Sequence, residues 1–168
     1  MRGRPPGDAR ERILQAARQL IGKAGYEGTS VPQIVDEAGV AQGTFYRYFK
    51  SKADLSKALA DIFNEQMMGT INEVFQTEKP MFEMMPTITG KLLKLFQEYH
   101  DIMPFLEEHS MPFGTSAHAA DLREQHYARM AAVIARDQQT GRIRNDIAPE
   151  LLARLGGGAF MNLARMVA

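Results

Sequence analysis

The sequence contains no cysteine. That absence removes disulfides, thiolate nucleophiles and cysteine-ligated zinc together, and it fits a reducing, cytoplasmic setting. A membrane-length apolar run is also missing: the most apolar stretch, residues 151–168, is interrupted by Arg154 and Arg165. The basic N-terminus, MRGRPPGDARERI, lacks the apolar centre of a secretory signal. No nucleophile elbow, phosphate loop or dinucleotide glycine pattern occurs. The glycines of GGGAF at 156–160 follow no strand, and are expected to let another helix come close. His100, His109, His118 and His126 are spaced nine, nine and eight apart, which does not give the paired spacing of a helical metal site. No enzyme, cofactor or metal centre is expected.

Net charge is absent too, with 20 Lys/Arg against 20 Asp/Glu. The balance is uneven along the chain. Residues 1–52 hold nine Lys/Arg and five Asp/Glu, an excess of four, and the remainder carries the opposite excess. A basic head on an acidic body directs an anionic partner to the head; chance segregation of solvated charge gives the same tally. Aromatic residues are scarce at 8%, yet FYRYF at 45–49 gathers four of them around one arginine.

What is present is helical periodicity over a 45% hydrophobic chain, enough for a core. A first helix is expected from Asp8, with Glu11 as its capping partner, along the stripe Ile13, Leu14, Ala17, Leu20, Ile21 and Ala24 to a stop at Gly25. Ser30 caps a second, with Pro32 in its first turn and Gln33 at the reciprocal position. Gly39 ends it. A third runs from Gln42 to Phe49 behind Ala41, which offers no acceptor and forgoes ~1 kcal/mol of capping. A long helix follows from Ser51 to Gln76, then helices near 81–100, 102–109, 115–139 and from Pro149. The fold class is all-α.

Two short helices joined across EAGVAQG have the spacing of a helix-turn-helix. Phe45 and Phe49 are four apart and share one face, assigned to the core. Gln42, Tyr46 and Arg47 point outward, with Thr44 and Tyr48 toward the flanks. Amide, phenols, hydroxyl and guanidinium are the groups that bond phosphates and base edges.

GTFYRYFKSKADL, preceded by TSVPQIVDEAGV and RERILQAARQLIGKAGYEGTS, resembles the DNA-binding head of TetR-type transcriptional repressors over roughly residues 8–57. The resemblance implies a three-helix head over 1–52 and a helical ligand-binding and dimerisation body over 53–168. It places Gln42, Gly43 and Tyr46 on base edges, and Thr44, Arg47, Tyr48 and Lys52 on phosphates. Ser30 and Gln33 reach the adjacent backbone or a base, and Arg2 and Arg4 form a minor-groove arm. Implied partners are a palindromic double-stranded DNA operator, a small apolar inducer and a second copy of the chain. The alternative is a helical interaction module whose basic head binds an acidic protein.

Methionines and aromatics concentrate between Met67 and Met130, which suits either an irregular apolar cavity or a well-filled core. The resemblance favours a pocket lined by Met67, Ile71, Phe96, Tyr99, His100, Met103, Tyr127 and Met130, with Tyr99 or His100 as the orienting polar contact. In such proteins the last two helices of each subunit form a four-helix dimer interface. Here Leu151, Leu155, Ala159, Asn162 and Met166 supply one, and the last family helix has no counterpart. Either the C-terminus continues further, or dimerisation uses fewer contacts.

Overall fold

This computed structural model describes the backbone of residues 6–110 and 117–167, and the side chains of 9–106 and 117–159 except Ala119. Among the described residues the secondary structure is helical: α1 Pro6–Ala24, α2 Val31–Glu37, α3 Gln42–Tyr48, α4 Lys52–Phe75, α5 Met81–Glu98, α6 Met103–Ser110, α7 Ala117–Gln139 and α8 Pro149–Val167. Each expected helix is present. The first begins two residues before Asp8, at Pro6, whose missing N–H costs nothing in a first turn. No helix among them is long and apolar enough to cross a membrane.

The chain divides into two compact units. One takes the described residues up to Ile62 together with the segment from Asp101; the other takes Phe63–His100 and the chain from α7 onward. The boundary expected at residue 52 marks the end of the helix-turn-helix, whereas the head unit reaches further along α4 and includes α6. The reason is local packing. Phe105 of α6 stacks on Tyr26 with ring centroids 5.4 Å apart, and Arg18 lies 3.6 Å from the Asp101 carboxylate.

Inside the head, α1 turns Ile13, Leu14, Ala17 and Ile21 inward against Ile34 and Val35 of α2 and Phe45 of α3. Full burial of side chains such as Ile13, Ile34 and Phe45 contributes about 1.5–3 kcal/mol each. Gly25 (φ 73°) and Gly39 (φ 60°) take the left-handed backbone that ends α1 and makes the turn after α2.

In the body, α7 and α8 form the closest helix pair. Ala131 and Ile134 meet Ala153 there, flanked by Tyr127, Met130 and Leu152. Of the three consecutive glycines, Gly157 is the one that needs to be small: a Cβ on it would lie 3.1 Å from the Tyr127 ring, while Gly156 and Gly158 face open space. Phe63 of α4 packs against Phe96 at 5.8 Å and Tyr99 at 5.1 Å. The N-terminus of α5 has Pro80 at its cap position and no local side-chain cap. Asp137, from α7, replaces it: its Oδ2 accepts the Met81 N–H at 2.6 Å. That carboxylate is 1% exposed and has Arg136 and Arg142 at 3.6 and 3.8 Å.

Candidate functional site

The surface of α3 follows from its seven residues. Phe45 and Phe49 are 0% and 3% exposed, tilted against each other at 5.7 Å, and they fix the inner side of the helix. Turning away from them by the helical repeat, Gln42, Gly43, Tyr46 and Arg47 are exposed, and Thr44 and Tyr48 are half-buried. Tyr46 is 52% exposed, although its ring edge touches Phe45 at 5.3 Å. A large aromatic with its base on the core and its hydroxyl in solvent is built for contact. Arg47 lies over the Tyr48 ring at 4.9 Å and donates to its hydroxyl at 3.2 Å, so an outward position and a flank position are held together. Ala41 makes no side-chain cap, as its methyl group dictates.

Three other positions named from the sequence have internal partners. Ser30 and Gln33 close a capping box on α2, with the Ser30 N–H donating to Gln33 Oε1 at 2.8 Å. Lys52 Nζ donates to the carbonyls of Tyr26 at 2.8 Å and Thr29 at 2.9 Å, and sits 4.1 Å from the Tyr26 ring. Two of its three N–H groups therefore hold the loop between α1 and α2, leaving one for any outside anion. Arg12 does comparable work at the turn: its NH1 reaches Ala38 O at 2.8 Å and Gly39 O at 3.3 Å. Pattern reading missed Arg12, because a basic residue on the rim of an amphipathic helix carries no local sign of the carbonyls it will meet. Arg2 and Arg4 lie outside the described residues.

The expected pocket lining divides between places. Met67, Ile71, Phe96 and Tyr99 are buried together on the α4 and α5 side of the body. Tyr127 and Met130 instead belong to the α7–α8 core, because Gly157 admits the Tyr127 ring. Met103 lies in the head unit with α6. His100 is exposed, with Nδ1 on Gln97 O at 2.9 Å. The Tyr99 hydroxyl is already committed, donating to Gln66 Oε1 at 2.7 Å.

The sequence reading also passed over polar groups inside the body. Asn64 is 3% exposed, and neither of its amide atoms has a hydrogen-bond partner. The same holds for Asn72 Oδ1 and for Nδ1 of His126, a side chain 5% exposed. His126 stacks on Phe75 at 5.8 Å, and burial, with a smaller push from Arg129, lowers its pKa to about 4. The available signal was Asn64 beside the apolar stripe of α4.

On α8, Leu151 and Leu155 are 52% and 61% exposed, and Ala159 is exposed beside them. Leu152 and Ala153 take the inner side. Asn162 and Met166 lie outside the described side chains.

Comparison with known proteins matches residues 13–59 to the family of bacterial regulatory proteins, tetR family. An uncharacterized HTH-type transcriptional regulator of Bacillus subtilis, YvdT, is 31% identical over 93 residues, covering 55% of this chain and 48% of the relative. Another from Lactococcus lactis, in the lacX 3' region, is 46% identical over 54 residues, covering 32% and 28%. The chain thus spans about half or less of the length of these curated relatives. Among solved structures, the transcriptional regulator FadR of Bacillus subtilis in complex with stearoyl-CoA superimposes with a TM-score of 0.73 at 22% identity, covering 92% of this chain and 84% of that one. It shares the fold. The matched head, with the α3 surface it builds, is similar to the tetR family of bacterial regulatory proteins over residues 13–59, and the chain shares the fold of the FadR structure.

Proposed function

We propose that the protein is a cytoplasmic, ligand-responsive, DNA-binding transcriptional regulator, a repressor that leaves its operator when a largely apolar small molecule enters the body. The observation that carries the reading is α3 itself, with two phenyl rings locked inside and Gln42, Gly43, Tyr46 and Arg47 presented outside. In this reading α3 lies in the major groove, Gln42 and Tyr46 meet base edges, and Arg47, Thr44 and Tyr48 meet phosphates. Lys52 acts mainly by fixing the loop before α2, with one N–H left for the backbone.

Two heads are needed to read a palindrome with half-sites about 34–36 Å apart. The exposed leucines of α8 supply the apolar surface for a homodimer. The acyl ligand of the FadR structure supports an apolar inducer, and so does the Met- and Phe-rich interior around Met67 and Phe96. Since α4 is one continuous helix shared by the two units, displacement of its body half moves its head half, the kind of two-state change that spoils docking.

The test is duplex selection from a random pool, followed by affinity measurements at several salt concentrations. Tyr46→Ala should relax sequence preference, and Arg47→Ala should weaken all duplexes together and flatten the salt slope by about one. Unchanged duplex affinity in a variant carrying both Tyr46→Ala and Arg47→Ala, with the chain still retained by polyglutamate, would mean an acidic protein partner instead.

A further inference from the structure

Arg12 stands on α1 and reaches across the head to the turn between α2 and α3. Its NH1 donates to the Ala38 carbonyl at 2.8 Å and to the Gly39 carbonyl at 3.3 Å, 26 and 27 residues away in sequence. The earlier carbonyls of α2 are closed by backbone donors. Ile34 O accepts the Ala38 N–H at 2.9 Å, Asp36 O the Gly39 N–H at 3.0 Å, and Val35 O the Val40 N–H at 3.0 Å. The next two carbonyls go to the half-buried Arg12. Gly39 takes a φ of 60°, so the guanidinium grips the residue at which the chain changes direction. Hydrogen bonds from a charged donor are stronger than neutral ones, which makes this a firm tie.

The two ends of α3 are held differently. At the C-terminal end Phe45 and Phe49 are buried, the Phe49 N–H donates to Phe45 O at 2.9 Å, and Arg10 of α1 lies 5.7 Å over the Phe49 ring. The Lys50 N–H then donates to Asp54 Oδ2 at 2.8 Å, tying that end to α4. At the N-terminal end Ala41 supplies no cap, and Ala41, Gln42 and Gly43 are exposed. This end takes its position from the turn, and the turn takes it from Arg12. Gln42 and Gly43 begin the base-facing surface here, whereas Arg47 and Tyr48 lie toward the anchored end.

We propose that Arg12 is a positioning residue for sequence discrimination. It fixes the tilt of α3, and with it the register of Gln42 and Tyr46 on base edges, while making no contact with the duplex itself. The inference rests on the reading of α3 as the recognition helix. Loss of a phosphate contact weakens all duplexes alike and flattens the salt slope. Loss of the Arg12 tie lets α3 rock about its phenylalanine anchor, so that the preferred duplex weakens and the others do not.

The test uses the full chain, a duplex recovered by selection from a random pool, and a scrambled duplex of the same composition. Measurements are made at a temperature where every variant is folded by circular dichroism. Arg12→Met, which keeps the stem, should lower the affinity ratio of selected to scrambled duplex about tenfold, with an unchanged salt slope. Arg12→Lys, which keeps a charged donor, should lower it about threefold, and it carries the test if Arg12→Met does not fold. Ile21→Val, a small cavity in the same helix, should keep the ratio. A ratio unchanged in both Arg12 variants overturns the inference. So does an equal loss in Ile21→Val, which would reduce Arg12 to a stabilising residue. A salt slope flattened by about one in Arg12→Met overturns it as well, by making Arg12 a phosphate contact. Failure to select any duplex overturns the recognition reading itself.

Discussion

Head and body differ in how far their buried side-chain polar groups are engaged by the chain. In the head, Lys52 and Arg12 each donate to two backbone carbonyls, Ser30 and Gln33 satisfy each other, and Thr29 donates back to Gly25 O at 2.8 Å. The body buries an asparagine amide and an imidazole nitrogen with nothing to meet them. Both units enclose leucine, isoleucine and phenylalanine, so core composition does not separate them. The division fits the proposed function. A surface that must match the spacing of bases gains from a single satisfied arrangement, whereas a chamber that must respond to a small molecule gains from unspent hydrogen-bonding capacity.

The largest test of that contrast is the body's exception. Asp137 is buried but engaged, its Oδ2 capping α5 from 56 residues away in sequence and its Oδ1 facing two arginines. Asp137→Ala removes the charged acceptor of the Met81 N–H and leaves the first turn of α5 without a cap, so a loss of about 3 kcal/mol in urea unfolding is expected. A loss below about 1 kcal/mol would show that the carboxylate is not what holds α5.

His126 comes next. Its folded pKa of about 4 lies below the ordinary 6.5, so the unfolded chain takes up a proton that the native one refuses. The histidine's contribution is complete above pH 6.5 and falls away as pH drops toward 4, by on the order of 3 kcal/mol. His126→Phe should flatten the stability profile across that window. If wild type and variant lose stability in parallel, the imidazole is not the buried group the structure describes.

Much of this architecture is legible from local rules. The capping box at Ser30 and the inward Phe45 and Phe49 follow from residue type and spacing. What local pattern could not supply is pairing across the chain. Nothing near Lys52 announces the Tyr26 and Thr29 carbonyls, and nothing near Pro80 announces Asp137. The expected pocket residues are divided between places for the same reason. Tyr127 and Met130 look like any apolar pair on a helix, and their partner is decided by one glycine on α8. Residue composition located the apolar region; three-dimensional pairing chose which polar atoms were left without partners.

A pair of substitutions sharpens the comparison further, because the two should carry opposite signs. Lys52→Met preserves most of the stem but removes two charge-assisted hydrogen bonds to the loop before α2, and should cost the head about 1.5–3 kcal/mol. Asn64→Leu replaces an unmatched amide with an apolar group of similar size, and should stabilise the ligand-free protein by about 1–2 kcal/mol. Thermal unfolding of both variants without ligand decides it. If Asn64→Leu destabilises by as much as Lys52→Met, the amide has a partner and the contrast between the units disappears.

The smallest effect concerns Gly43, where stability and binding should separate. It occupies the second position of α3, is exposed, and has open space where a Cβ would go. Its backbone is helical, so no turn demands glycine there. Alanine at this site should raise head stability by up to about 1 kcal/mol, because glycine is the poorer helix former. If the reading of α3 is right, the same methyl group stands between the helix and the duplex, and Gly43→Ala should weaken DNA binding while the melting temperature rises. A variant that is more stable and binds duplex as well as wild type would remove Gly43 from the contact surface. It would also shift the recognition role toward Tyr46 and Arg47, further along the helix.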